Sequence, residues 1–209
     1  MRFFRKILVI YLVTITPAIA RPVAYPGGWS LMQHNDYNDN SLYANYTLNG
    51  KDTVGVVSEY MRQNNFLFNS FQYTRVIKRW NQDDSQGNLY FKGGAGGAEV
   101  NNSFKSGGSI GIEGDWESRR FYTAYRNSYT KIDNKYSQFR QMARVGVAPY
   151  IGGYSDLNTW FILQVDHNPT GYKKNFVTTP VIRMFKDSYL IEVGVSSTKT
   201  VLFNFMMFI

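Results

Sequence analysis

The sequence predicts an all-β chain, an antiparallel up-and-down barrel of about 12 strands, with 10 as the nearest other count. Three observations predict it. From Trp29 onward no stretch carries apolar residues at helical spacing, and the residues that recur are Tyr, Phe, Val, Ile and Thr, which suit a pleated surface. Turn-forming clusters of Asn, Asp, Gly, Ser and Lys break the chain at short intervals, as a series of hairpins requires. Within the segments so bounded, alternate residues sort into an apolar face and a face of charges, amides and glycines.

The first element is not a strand. Arg2, Arg5 and Lys6 precede an apolar run from Ile7 to Val13, and Pro17-Ala18-Ile19-Ala20 follows with small residues. This pattern reads as a secretory signal peptide cut after Ala20, leaving residues 21–209 as one barrel domain. The apolar run falls short of the roughly 18 to 20 residues that a spanning helix needs. Its removal takes three basic residues and no acidic one, lowering the net charge from +8 to +5, so much of the basicity is targeting signal.

The strands are then expected in order. Segments 29–36 and 41–48 flank Asn38-Asp39-Asn40; Asn49 to Asp52 leads into 53–62, and Gln63-Asn64-Asn65 into 66–80. The cluster 83–88 opens 87–98, and Lys105-Ser106-Gly107-Gly108 is read as the turn before 108–118, which 120–132 follows. Asp133-Asn134-Lys135 precedes 136–150, Gly152 to Asp156 precedes 159–167, and Asn168-Pro169-Thr170-Gly171 precedes 175–185. Lys186-Asp187-Ser188 and Ser196 to Lys199 bound the last two, 188–195 and 200–209. The run Gly93 to Gly97 lies inside the fifth strand with no helix after it, which argues against a phosphate loop and for a bent wall or room in the lumen.

The faces decide what surrounds the sheet. In 109–118, Ile110, Ile112, Gly114 and Trp116 alternate with Gly111, Glu113, Asp115 and Glu117. In 136–150, Phe139, Ala143, Val145 and Val147 share a face with Gln141, and Gln138, Arg140, Met142 and Arg144 hold the other. Tyr189, Ile191, Val193 and Val195 oppose Leu190, Glu192, Gly194 and Ser196, and Phe203, Phe205, Met207 and Ile209 line one side of the last strand. A face mixing both charge signs with glycine suits a lumen, and Trp29, Tyr37, Tyr60, Trp80, Trp116, Tyr122, Tyr136, Tyr150, Trp160 and Tyr189 stand near strand ends, where interfacial girdles belong. A periplasmic soluble β protein, with the charged faces in water, is the alternative.

On these features everything after Ala20 resembles a small Gram-negative outer-membrane β-barrel protein, a likeness of architecture and of no particular functional family. It implies a porin-like transmembrane barrel in the cell outer membrane, among outer-membrane lipids. The alternating apolar C-terminal strand is similar to the signal read by the barrel-assembly machinery, although the last residue is Ile209 and the nearest aromatic is Phe208. A narrow channel or passive solute pathway is the expected function, with Glu113, Asp115, Glu117, Arg126, Arg140, Arg144, Arg183 and Glu192 as lumen and selectivity candidates for small solutes or ions. Opposed Arg and carboxylate side chains can instead close such an interior as a network.

Other chemistry finds little footing. The absence of cysteine excludes disulfides, thiol nucleophiles and cysteine-held metals. Two histidines, His34 and His167, make a poor transition-metal set, so no metal and no cofactor are expected. A lipid-modifying enzyme would need a nucleophile near one of them. Asp166 and Asn168 flank His167, yet no serine near either histidine sits in a recognisable motif, so no catalytic residue is assigned. The remaining basic residues are scattered, with no recognition helix, so no nucleic-acid partner is expected.

Overall fold

The computed structural model describes residues 25–134, 136–153, 156–170 and 175–209; the signal peptide expected over residues 1–20 lies outside them. Among these residues the chain forms twelve strands and no helix. They are β1 (Trp29–Asn35), β2 (Asp39–Thr47), β3 (Asp52–Met61), β4 (Phe66–Asn81), β5 (Ser85–Val100) and β6 (Ser103–Ser118). The second half adds β7 (Phe121–Ile132), β8 (Tyr136–Val147), β9 (Asn158–His167), β10 (Phe176–Lys186), β11 (Tyr189–Val195) and β12 (Val201–Phe208).

Each strand pairs antiparallel with its neighbours in sequence, and β12 returns to β1, with Ser30 opposite Phe208 and Asn35 opposite Phe203. Closure leaves no sheet edge unpaired. Following the pairs once round advances the register by about 14 residues, which leans the strands roughly 40° from the barrel axis. Because the strand number is even, β1 starts and β12 ends at the same rim, here called the terminal end; the opposite rim is the distal end.

Sequence reading located all twelve strands and misjudged some limits. β6 begins at Ser103, five residues before its expected start at 108, because the turn is Asn101-Asn102 and not Lys105 to Gly108. Both asparagines take positive φ, 52° and 58°, a backbone state that asparagine tolerates better than most residues and that matches the twist of a two-residue hairpin. Residues 99–108, read as a loop, are therefore almost wholly strand. β8 stops at Val147, three residues short of 150, with the connection through Pro149 following.

Burial shows how the faces are used. Leu42, Val56, Phe71, Ile110, Val145, Phe161, Leu163, Ile182, Val195 and Phe203 are exposed on the outside. Inside, Met61, Phe66, Phe68, Ala98 and Ile132 pack together with Tyr136 where β3, β4, β5, β7 and β8 reach the distal end, closing part of that mouth. A second apolar patch, Tyr122, Ala148, Trp160, Ile162, Val181 and Leu202, lines the wall from β7 to β12. Three aromatics expected in an outer girdle, Tyr122, Tyr136 and Trp160, thus point inward: their position parity along the strand places them on the inner face, and nearness to a strand end does not override that.

The glycine run of β5 serves close approach more than open space. A Cβ on Gly96 would lie 1.9 Å from the Asn69 carbonyl oxygen of β4, and one on Gly97 would lie 2.2 Å from the Phe104 ring of β6. β4, β5 and β6 are also the tallest strands, at 16 residues each against seven in β1 and β11.

Candidate functional site

The period-two alternation that makes the outer face apolar delivers the charged residues to the interior. Glu113, Asp115, Glu117, Arg183 and Glu192 line a cavity of about 100 Å³ towards the terminal end. Arg140 lines a second cavity, of about 110 Å³, towards the distal end, and Arg126 and Arg144 border both. All eight residues named from the sequence therefore face the lumen.

Three groupings order these charges. Glu192 of β11 accepts bonds from Arg144 Nη1 at 3.0 and 3.1 Å, from Arg183 Nε at 2.7 Å and from Asn204 Nδ2 at 2.7 Å. Arg144 Nε also donates to Gln164 Oε1 at 2.8 Å, whose amide donates to Asp166 at 2.7 Å. Arg183 lies over the Tyr122 ring, 4.3 Å from its centroid. Nearer the distal end Arg140 of β8 reaches across to pair with both Asp39 of β2 and Glu59 of β3. On the far wall Lys92 of β5 pairs with Glu113 of β6, and Asn88 Nδ2 donates to Asp115 at 2.8 Å.

The distal mouth is narrowed by the β1–β2 connection. Asp36 accepts from the Asn38 N–H at 2.6 Å and the Asp39 N–H at 3.1 Å, which folds the turn inward. Asn168 Nδ2, after β9, donates to Asn38 Oδ1 at 2.9 Å, and both residues are buried. Gln63 holds the Tyr37 hydroxyl at 3.0 Å from the next connection. Burial, and then the nearby Asp39 and Asp166 carboxylates, push the Asp36 carboxyl up from an ordinary 3.8 to about 7.

Sequence reading missed Lys92, Asp39, Glu59, Gln164 and Asn204. The alternation around Lys92 is hidden by glycines at 93, 94, 96 and 97, and Asp39 was read as a turn residue. The two histidines part company. His34 faces the lumen with its ring edge-on to Tyr43, centroids 5.4 Å apart. His167 points outward, stacked on Phe176 at 4.2 Å, with Nδ1 3.2 Å from the Gln141 amide. Asp166 is on the opposite face of β9, hydrogen-bonded to Gln164, so neighbours in sequence do not form an acid–base pair. No cluster of three or more His, Asp or Glu side chains suited to a metal ion occurs among the described residues.

Neither a family model nor a curated protein matches the chain. A chain from a solved structure described as "Unveiling the Mechanism Behind the in-meso Crystallization of Membrane Proteins" is similar at 10% identity over 88% of this chain and 83% of that one. The TM-score is 0.42, too slight a likeness to carry an inference.

Proposed function

We propose that this is an outer-membrane barrel that offers a narrow, charge-lined passage to water, ions and other small solutes. The observation that carries the reading is the inside-out distribution of polarity. The outer faces of β2, β3, β8, β9 and β10 expose Leu42, Val56, Val145, Phe161, Leu163 and Ile182, while the interior holds Lys92, Arg126, Arg140, Arg144, Arg183 and their carboxylates. A barrel bathed in water would expose the large apolar outer surface at a steep cost, whereas hydrocarbon is its natural solvent. Trp29, Trp116, Phe121 and Tyr189 near the terminal rim, and Tyr60, Tyr129 and Phe176 near the distal rim, form two aromatic belts that fit the membrane interfaces. Both ends of the barrel wall share one rim, which suits entry from the periplasm and assembly by the barrel-assembly machinery.

The two cavities share the ring of side chains at mid-height, so the polar path is pinched there and not walled off by an apolar layer. Passage is accordingly restricted to species little larger than water. A closed scaffold is the second reading, favoured by the apolar cluster around Phe68 at the distal mouth.

The test has two stages. Outer-membrane fractions run unboiled and boiled on one gel should give a mobility shift for the folded barrel. Planar bilayers containing the purified protein should then show small, steady conductance steps. Recovery in the soluble periplasm without a shift rejects the membrane reading, and silent bilayers with correctly folded protein reject the passage in favour of the scaffold.

A further inference from the structure

Charge is not spread evenly along the interior. The acidic groups Asp36, Asp39 and Asp166 lie towards the distal end, and Asp115 and Glu117 lie two and four residues beyond Glu113 towards the terminal end. The middle, where the two cavities meet, is bordered by Lys92, Arg126, Arg144, Gln72, His34 and Asn204, and by no carboxylate common to both cavities.

Three of these groups are already committed. Lys92 is held by Glu113, and Arg144 and Asn204 are held by Glu192. Arg126 is not: among the described residues its guanidinium makes no hydrogen bond and has no carboxylate oxygen within 4.0 Å, although its ladder partner across β6–β7 is Glu113. Gln72, on the wall of both cavities, likewise makes no side-chain hydrogen bond among the described residues. Within this ring Lys92 and Arg126 stand beside the one carboxylate of Glu113, and Arg144 and Arg183 beside that of Glu192, although over the whole interior carboxylates outnumber cations. Glu113 faces Arg126 across the ladder but spends its hydrogen bond on Lys92, so the guanidinium's fork of planar donors, which suits an anion, stays open.

We propose that this waist is a binding site for a small inorganic anion of halide or nitrate size. Arg126 is its charged anchor, Gln72 supplies an amide donor, and Lys92 and Arg144, each already paired with a carboxylate, border it on either side. The proposal deepens the passage reading and depends on it for the route by which the anion arrives, while the site itself is a matter of equilibrium binding.

The experiment separates the two. The full chain is produced, purified from membranes and crystallised with bromide as the sole halide, and anomalous scattering is recorded at the bromine edge for wild type and Arg126→Gln. A bromide peak within hydrogen-bonding distance of Arg126, absent from Arg126→Gln, is the expected result. No peak at the waist of the wild type, or an undiminished one in the variant, overturns the proposal. If Arg126→Gln does not fold, Gln72→Leu takes its place, expected to weaken the peak and overturning Gln72's part in the site if it leaves the peak unchanged. In parallel, reversal potentials in a tenfold potassium chloride gradient should carry the sign for anion preference and move towards zero in Arg126→Gln. An Arg126-dependent peak in a protein that never conducts rejects the passage and keeps the site. Conductance with cation preference and no peak rejects the site and keeps the passage.

Discussion

Glu192 is the residue on which the interior leans hardest. It takes four hydrogen bonds from three side chains, two of them arginines, so Glu192→Gln leaves two buried cations without a counter-charge. Breaking a buried pair in this way costs about 3 to 5 kcal/mol, and the variant is expected to lose roughly that much stability, read from urea unfolding in lipid vesicles. An unchanged midpoint would mean that water already carries those arginines. Asp36 gives the opposite sign. Its carboxyl is pushed up to about 7 from an ordinary 3.8, so the folded chain prefers it protonated. Its stabilising contribution is complete below about pH 4 and disappears as the pH rises through about 7. Asp36→Asn keeps an oxygen for the Asn38 and Asp39 N–H groups and removes the charge. Above pH 7 the variant should therefore unfold at a higher temperature than wild type, with the difference vanishing near pH 4. Parallel curves across that range would show that Asp36 does not titrate there. At this scale the sequence reveals which face a charge takes, since Arg140, Arg144 and Glu192 sit at inward parity in their strands. It cannot reveal partners: Arg140 meets Asp39 and Glu59 from 101 and 81 positions away, a match set by barrel closure and strand tilt.

Among the elements, β5 shows how composition turns into wall shape. Gly96 accepts the β4 backbone where any Cβ would collide with the Asn69 carbonyl, whereas the space over Gly93 is bounded at 3.4 Å by the movable Phe91 ring. Gly96→Ala should therefore destabilise by about 1 to 3 kcal/mol and lower the temperature at which the unboiled band disappears, while Gly93→Ala stays close to wild type. Equal behaviour of the two would remove close approach as the reason for the run. Turn chemistry located every strand, because eight of the eleven connections have only two to four residues and leave little else for Asn, Asp and Gly to do. It failed at 105–108, where two glycines belong to a strand, Gly107 packing against Ile132 and Lys131 of β7. The aromatic signal failed at Trp160 for a related reason, since a ring near a strand end is as useful for filling the inner wall as for lining an interface.

For the molecule as a whole the question is its solvent, and one outward position can report on it. Leu163 is 48% exposed at the middle of β9. Leu163→Lys would be nearly neutral on a protein surrounded by water, and should cost about 2 to 4 kcal/mol if that face meets hydrocarbon. Vesicle-refolding midpoints for wild type and variant decide between these outcomes. The closed, even-numbered architecture was legible because alternation and turn spacing are local properties. How far side chains fill the lumen was not, because it depends on residues such as Phe68, Met61 and Ile132 that sequence reading treated as ordinary strand residues.

The β5–β6 hairpin has a use beyond the barrel. Its last partners are Phe68 opposite Ala98 on one side and Ile132 opposite Gly107 on the other, so in the sheet residues 99–104 pair with one another alone, tipped by Asn101-Asn102 and by Phe104 at 74% exposure. A short epitope spliced between those two asparagines would disturb no rung of the wall. Antibody staining of intact cells would then tell directly which rim looks out on the surroundings.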